Sequence, residues 1–240
     1  MVPALDKRLS AVAGMVRDGA IVADIGTDHA YLAAHLINSG ISPHVYACDI
    51  NSAPLARAQE TVTRCGLQDK ISLRLSNGLQ ALPEGCAQDI VIAGMGGELV
   101  ADIIAGAGWL KNPQVHLILQ PMTRPEHLRH WLFTNGYDIL KEQGVHIGRH
   151  YYTVMLACYT GARAEPDDLL MSVGRLTENT DKDSIDYLKH YIQVLCRILS
   201  GLEQGKTDEN QLSIERYKAL VNDIQAALNA ERTVPEQNRT

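Results

Sequence analysis

The chain has 240 residues, 45% hydrophobic and 21% charged, with a formal net charge of −6. That length and composition suit one α/β unit with a smaller appendage and exclude a disordered chain, and no apolar run approaches the roughly 20 residues that cross a bilayer. The acidic balance excludes a surface that attracts nucleic acid everywhere, while leaving room for a local basic patch.

Apolar runs that read as strands alternate with helical stretches through the first part of the chain. The strands are expected at Ile21 to Ile25, Val45 to Ile50, Ile71 to Leu75, Ile90 to Ala93 and Val115 to Leu119. Tyr31 to Asn38, Ala53 to Cys65, Glu98 to Ala105 and Pro125 to Thr134 read as the helices between and after them, with Asn51 or Ser52 as an N-cap and Pro54 in the first turn. This alternation predicts a parallel sheet covered on both faces. Tyr137 to Gly148 and Tyr151 to Tyr159 follow with no room for a crossover helix, so they are expected to form an antiparallel pair closing the sheet edge. Glu165 to Asp183 reads as a linker. Beyond it, Ile185, Leu188, Ile192, Leu195, Leu199 and Leu202, then Ile214, Tyr217, Val221, Ile224 and Leu228, repeat at 3-4 spacing on either side of the polar break GKTDEN. Two such stripes suggest a helical hairpin or two amphipathic helices packed on the main unit.

The cysteines, Cys48, Cys65, Cys86, Cys158 and Cys196, are odd in number and lack a C-x-x-C pair, which favours reduced, mostly buried thiols. His127 and His130 have no acidic or cysteine companion, so no metal site is expected. Met1 to Ser10 lacks the apolar core of a secretion signal, and the expected location is cytoplasmic. Glu165 to Thr240 holds 9 Lys+Arg against 14 Asp+Glu, so a polyanion site is expected mainly on the first part.

Ligands of open parallel sheets bind at the carboxyl ends of the strands. Here those ends read Asp24-Ile25-Gly26-Thr27-Asp28-His29, Asp49-Ile50, Ser76-Asn77-Gly78, Gly94-Met95-Gly96-Gly97 and Gln120-Pro121-Met122-Thr123. Asp49 lies where a carboxylate accepts both ribose hydroxyls of an adenosine. The first loop keeps one glycine and puts Asp28 and Ala30 where a pyrophosphate needs small residues. A carboxylate there repels a dinucleotide but suits the cationic sulfonium and amino group of S-adenosylmethionine.

The segments VADIGTDHAYL, IVIAGMGG and LILQPM, followed by a helical tail, resemble the bacterial tRNA adenine N1-methyltransferases of the TrmK type. The resemblance runs from about Leu9 into the tail and is strongest over the first 160 residues. It implies a class I, Rossmann-like α/β methyltransferase sheet over residues 1–164 and a helical hairpin over 165–240 that helps hold tRNA. It also implies methylation at N1 of an adenine in the D-arm, at position 22. Asp24, Gly26, Asp28 and His29 map onto the cofactor loop and Asp49 onto the ribose ligand; Thr27, Ile50, Asn77, Gly78 and Gly94 complete the expected cofactor set. The family often reads GDGL where this chain has Asn77-Gly78-Leu79, so Asn77 must meet the adenine edge with an amide. Asp28 is expected either to stabilise the cationic base or to hold the cofactor amino group, and Met95 to offer the base an apolar face. Lys7, Arg8, Arg124 and Arg129, with Arg17 and Arg149, are the expected phosphate contacts, and the protein is expected to act as a monomer or homodimer. Two alternatives remain open from the residues: a small-molecule methyltransferase and a non-catalytic adenosylmethionine- or tRNA-binding protein.

Overall fold

The computed structural model describes residues 2–205 and 208–230. A short helix, α1 (Lys7–Ala13), opens the chain, with the Asp6 carboxylate accepting from the Leu9 N–H at 2.7 Å. The sheet then builds from β1 (Val22–Ile25), β2 (Val45–Asp49), β3 (Ile71–Leu75), β4 (Asp89–Gly96), β5 (His116–Thr123), β6 (Tyr137–Ile147) and β7 (His150–Tyr159). Between them run α2 (Tyr31–Asn38), α3 (Ser52–Cys65), α4 (Gly97–Ala105) and α5 (Pro125–Thr134). The strand order is β3-β2-β1-β4-β5-β7-β6. β1 to β5 are parallel; β7 is antiparallel to β5 and β6 antiparallel to β7. The terminal pair therefore closes the edge as expected, with its second strand inserted beside β5.

Every residue of β1 is buried, as a central strand covered on both faces requires. Two apolar layers flank the sheet. One joins Ile90, Ile92, Leu117 and Leu119 to α4 and α5 through Val100, Ile104, Leu128 and Leu132. The other joins Val22, Val45, Val91 and Ile118 to α1, α2 and α3.

Three segments depart from the sequence expectation. Helix α1 was not expected, because seven residues ending in small side chains carry too little periodicity; it packs on β6, β7 and α2. β4 and β5 run past the expected Ala93 and Leu119: Met95 pairs with Pro121 and Gly96 with Thr123 across two register shifts. An irregular ladder tolerates a proline that a regular one would not. The segment read as a linker contains α6 (Asp168–Val173) and a 3-10 turn (Gly174–Glu178), with Val173 and Leu176 fully buried.

The tail forms α7 (Lys182–Gln204) and α8 (Asp208–Ala230), and the two pack on each other. Leu188, Leu195, Val221 and Ile224 from the two stripes bury together with Tyr187 and Leu220. Val173 and Leu176 belong to the same cluster, and α7 also runs along β6. The stripes thus seal against the preceding segment and the sheet edge as well as against each other.

Candidate active site

The order β2-β1-β4-β5 puts the reversal of strand order between the parallel strands β1 and β4, and two adjoining cavities of about 280 and about 260 Å³ open at the carboxyl ends of these strands. Both are bordered by Gly26, Ala93 and Gly94. Asp24, Thr27, Asp28, His29 and Arg8 line the first; Asp49, Ile50, Asn77, Gly78, Met95, Leu99 and Ile103 line the second. The expected cofactor residues and both expected catalytic residues, dispersed over some 70 positions of sequence, thus come to one cleft.

The loop after β1 has its shape from Gly26. Its φ is +85°, and a Cβ there would lie 2.2 Å from Met95 Cε. Glycine is needed both for the left-handed backbone and for the methionine that covers it. Four residues on, Ala30 holds φ +54° at the start of α2, where no side chain caps the helix. A non-glycine residue in that region is strained, and such strain gathers at ligand sites.

Asp24 is buried beneath this loop. Burial pushes its carboxyl from 3.8 up to about 6, against the pull of a hydrogen bond with Thr27 and with a further rise from nearby Asp49. Asp28 is placed differently: its side chain is 62% exposed, ion-paired with Arg57 of α3 and 3.4 Å from His29 Nε2. Arg57 was missed in the sequence because it sits mid-helix among polar residues and contributes through space alone.

In the second cavity Asp49 is half-buried, one carboxylate oxygen accepting from the Asn51 N–H at 2.8 Å. Ile50 and Leu99, 59% and 51% exposed, leave large apolar surfaces open in the same space. Exposed side chains of this type beside a carboxylate make a slot for a flat, partly polar group. Leu99 and Ile103 were not among the expected site residues; their 3.6-residue period read as an ordinary amphipathic helix.

The expected phosphate-binding residues separate. Arg8 borders the first cavity, and its Nη1 donates to Gln120 Oε1 at 2.7 Å; the same oxygen accepts from the Gly94 N–H at 3.0 Å. Fully buried Gln120 therefore ties α1 to the β4 bulge, and its polar side chain within the apolar run LILQPM was the available signal. Lys7 is exposed and bonded to Asp183 of α7 at 2.7 Å, and Arg124 is exposed and paired with Glu98. Arg17 grips Asp89 at the opposite end of β4. Arg129 overturns its expectation: its side chain is 0% exposed, donating to Glu142 Oε1 at 2.7 Å and to the carbonyls of Met171 and Ser172. It cannot reach an RNA phosphate, and its work is structural. A helix position carrying arginine looks the same in sequence whether it meets water or a buried carboxylate.

A doubly wound sheet with this order, an antiparallel closing pair and an acid-lined cleft at its reversal point defines a class I methyltransferase. A methyltransferase domain model matches residues 5–155. The chain is 32% identical to the tRNA (adenine(22)-N(1))-methyltransferase of Bacillus subtilis, covering 88% of this chain and 91% of that protein. The crystal structure of the Bacillus subtilis tRNA methyltransferase TrmK superimposes with a TM-score of 0.80 at 30% identity, over 94% of this chain and 99% of that one. A putative tRNA methyltransferase of Streptococcus pneumoniae, solved in complex with S-adenosyl-L-methionine, gives 0.72 at 31% identity over 94% and 99% of the two chains. The chain belongs to the tRNA (adenine(22)-N(1))-methyltransferase family.

Proposed function

We propose that this chain methylates N1 of an adenine in the tRNA D-arm, at position 22, with S-adenosylmethionine as donor. The observation that carries the reading is an apolar slot flanked by a carboxylate, joined to a second, acid-lined lobe, in a chain related along most of its length to an enzyme of that name. When bound, the donor supplies a methyl carbon activated by a sulfonium. Asp49 is set to accept from ribose hydroxyls, Ile50 and Leu99 to flank the adenine, and Asn77 and Gly78 to meet its edge. Asp24, Gly26, Thr27, His29 and Gly94 line the lobe for the amino-acid part, where carboxylates suit a ligand carrying two positive groups.

Adenine N1 has its own in-plane lone pair, so no residue has to remove a proton before transfer. The chain's residues must instead hold nucleophile and methyl carbon in line and accommodate a base that becomes cationic. Asp28, at the mouth of the cleft, is suited to that charge or to the donor's amino group; Arg57 and His29 hold its carboxylate in place. Met95, covering Gly26, offers an apolar face. N1 lies on the Watson-Crick edge, so the base must be turned out of any stem to enter. Arg8 at the cavity edge, Lys7 and Arg124 are placed to meet the flanking phosphates.

Among the described residues no three metal-ligating side chains converge, and no helix is long and apolar enough to cross a membrane. We read the enzyme as a monomer or a homodimer that meets its tRNA in the cytoplasm. Unmodified tRNA and a small-metabolite pool, each incubated with protein and labelled donor, test it. N1-methyladenosine at one D-arm position is the expected product; label in metabolites with none in tRNA overturns the assignment.

A further inference from the structure

Beside the active-site cleft, three rings stack in one column. His146 of β6 lies 4.2 Å from Tyr151 of β7 at 8° between planes, and Tyr151 lies 4.1 Å from His190 of α7 at 9°. All three are half-buried. At the hairpin tip His150 stacks on Tyr152 at 6.0 Å. Because β7 is antiparallel to β5, this tip lies at the end of the sheet where the cleft opens. A short relay of contacts links it to the cleft edge. Arg8 borders the cleft, its neighbour Lys7 is bonded to Asp183, and the Asp183 carboxylate accepts from the His146 N–H at 3.4 Å.

The column is flanked by cations. Lys182, Asp186, Lys189, His190, Gln193 and Arg197 follow one another at helical spacing on one face of α7. Lys182 is paired with Asp186 and Lys7 with Asp183. Arg149 at the hairpin tip, Lys189 and Arg197 are exposed and make no ion pair among the described residues. Burial, then the nearby Arg197 and His146, lowers the His190 pKa. A stacked ring column edged by unpaired cations matches single-stranded RNA, which offers bases to stack and phosphates to pair. An apolar seam serving only to join β7 to α7 would need neither imidazoles nor cations.

We propose that the His146-Tyr151-His190 column is a second RNA contact, on which an unstacked base of the substrate tRNA rests while Arg149, Lys189 and Arg197 hold its phosphates. It rests on the tRNA-methylating reading and adds a site to it, outside the cleft. It explains how an acidic tail engages a polyanion: the contact is confined to one stripe that begins at the catalytic rim.

His190→Ala and His190→Phe, compared with wild type, test it. The alanine variant is expected to raise the tRNA Kd about tenfold, the cost of one lost base stack, with S-adenosylmethionine affinity and kcat at saturating tRNA unchanged. The phenylalanine variant keeps a ring and is expected to retain wild-type affinity. Lys189→Glu combined with Arg197→Glu is expected to flatten the dependence of log Kd on log salt. A His190→Ala protein with wild-type tRNA affinity, whatever its melting temperature, overturns the stacking site while the methylation reading stands. A wild-type chain that neither binds nor methylates tRNA overturns both.

Discussion

Asp24 carries its carboxylate where the fold disfavours charge. The unfolded chain releases this proton near 3.8 and the folded chain near 6, so the folded state binds more protons between these values and loses stability as pH rises through them. A gap of that size is worth about 3 kcal/mol above pH 7. Asp24→Asn is therefore expected to raise the unfolding free energy by about 1 to 3 kcal/mol at pH 7.5 and by much less at pH 4, while weakening S-adenosylmethionine binding. Urea unfolding at the two pH values, beside calorimetric titration, reads both effects; a variant no more stable at pH 7.5 than wild type refutes the strain. Because the cationic donor favours the ionised acid, wild-type affinity should also fall as pH drops through 6. Asp49→Ala removes charge-assisted hydrogen bonds, with an expected loss of about ten- to a hundredfold in donor affinity and an unchanged fold. Asp28→Ala should cut single-turnover methyl transfer severely. Normal donor affinity in that variant would assign Asp28 to the base, and normal turnover would remove it from the mechanism.

The segment between sheet and hairpin behaves as a fastening. Glu142 of β6 accepts from Arg129 of α5, from Thr153 Oγ1 at 2.5 Å and from the Arg175 N–H at 3.1 Å, all in a buried position. Gly174 makes this approach possible: at φ +59° a Cβ would fall 1.8 Å from Glu142 Oε2. Glu142→Gln leaves the Arg129 guanidinium buried without its counter-charge, and a loss of about 3 to 5 kcal/mol is expected. Gly174→Ala meets both the forbidden φ and the carboxylate, so it too should destabilise, by more than about 1 kcal/mol. Chemical denaturation measures both; midpoints like the wild type's would show that the node contributes nothing to stability.

From the sequence, a chain ending at Ala164 is expected to fold, since the strands that close the sheet are complete. The contacts across that boundary argue otherwise. Cutting there removes the Met171 and Ser172 carbonyls from Arg129 and the Ser184 hydroxyl that accepts from the Gly144 N–H at 2.9 Å. It also removes α7 from β6 and Asp183 from Lys7. The shortened chain is expected to melt well below the full chain and to aggregate on warming. A truncated protein with the full chain's melting temperature would show that the two parts are independent, and its rate on tRNA would then report the tail's contribution alone.

The strands of the sheet, the helices between them, the closing antiparallel pair and the two tail helices follow from apolar periods that local sequence carries: two for half-buried strands, continuous for β1, 3.6 for the helices. The cleft was legible for a related reason. In a parallel sheet strand ends gather at one edge, so Asp24, Asp49, Asn77 and Met95 could be grouped before any distance was known. Pairings between distant residues were not legible. Arg129 meets Glu142, Asp28 meets Arg57, and His146, Tyr151 and His190 share one column because three-dimensional packing brings separate elements together. A charged or aromatic side chain on a helix has the same sequence neighbours whether it faces water, a buried partner or a ligand. Which of these it meets depends on the angle and register at which its element packs, and those are set by the rest of the chain.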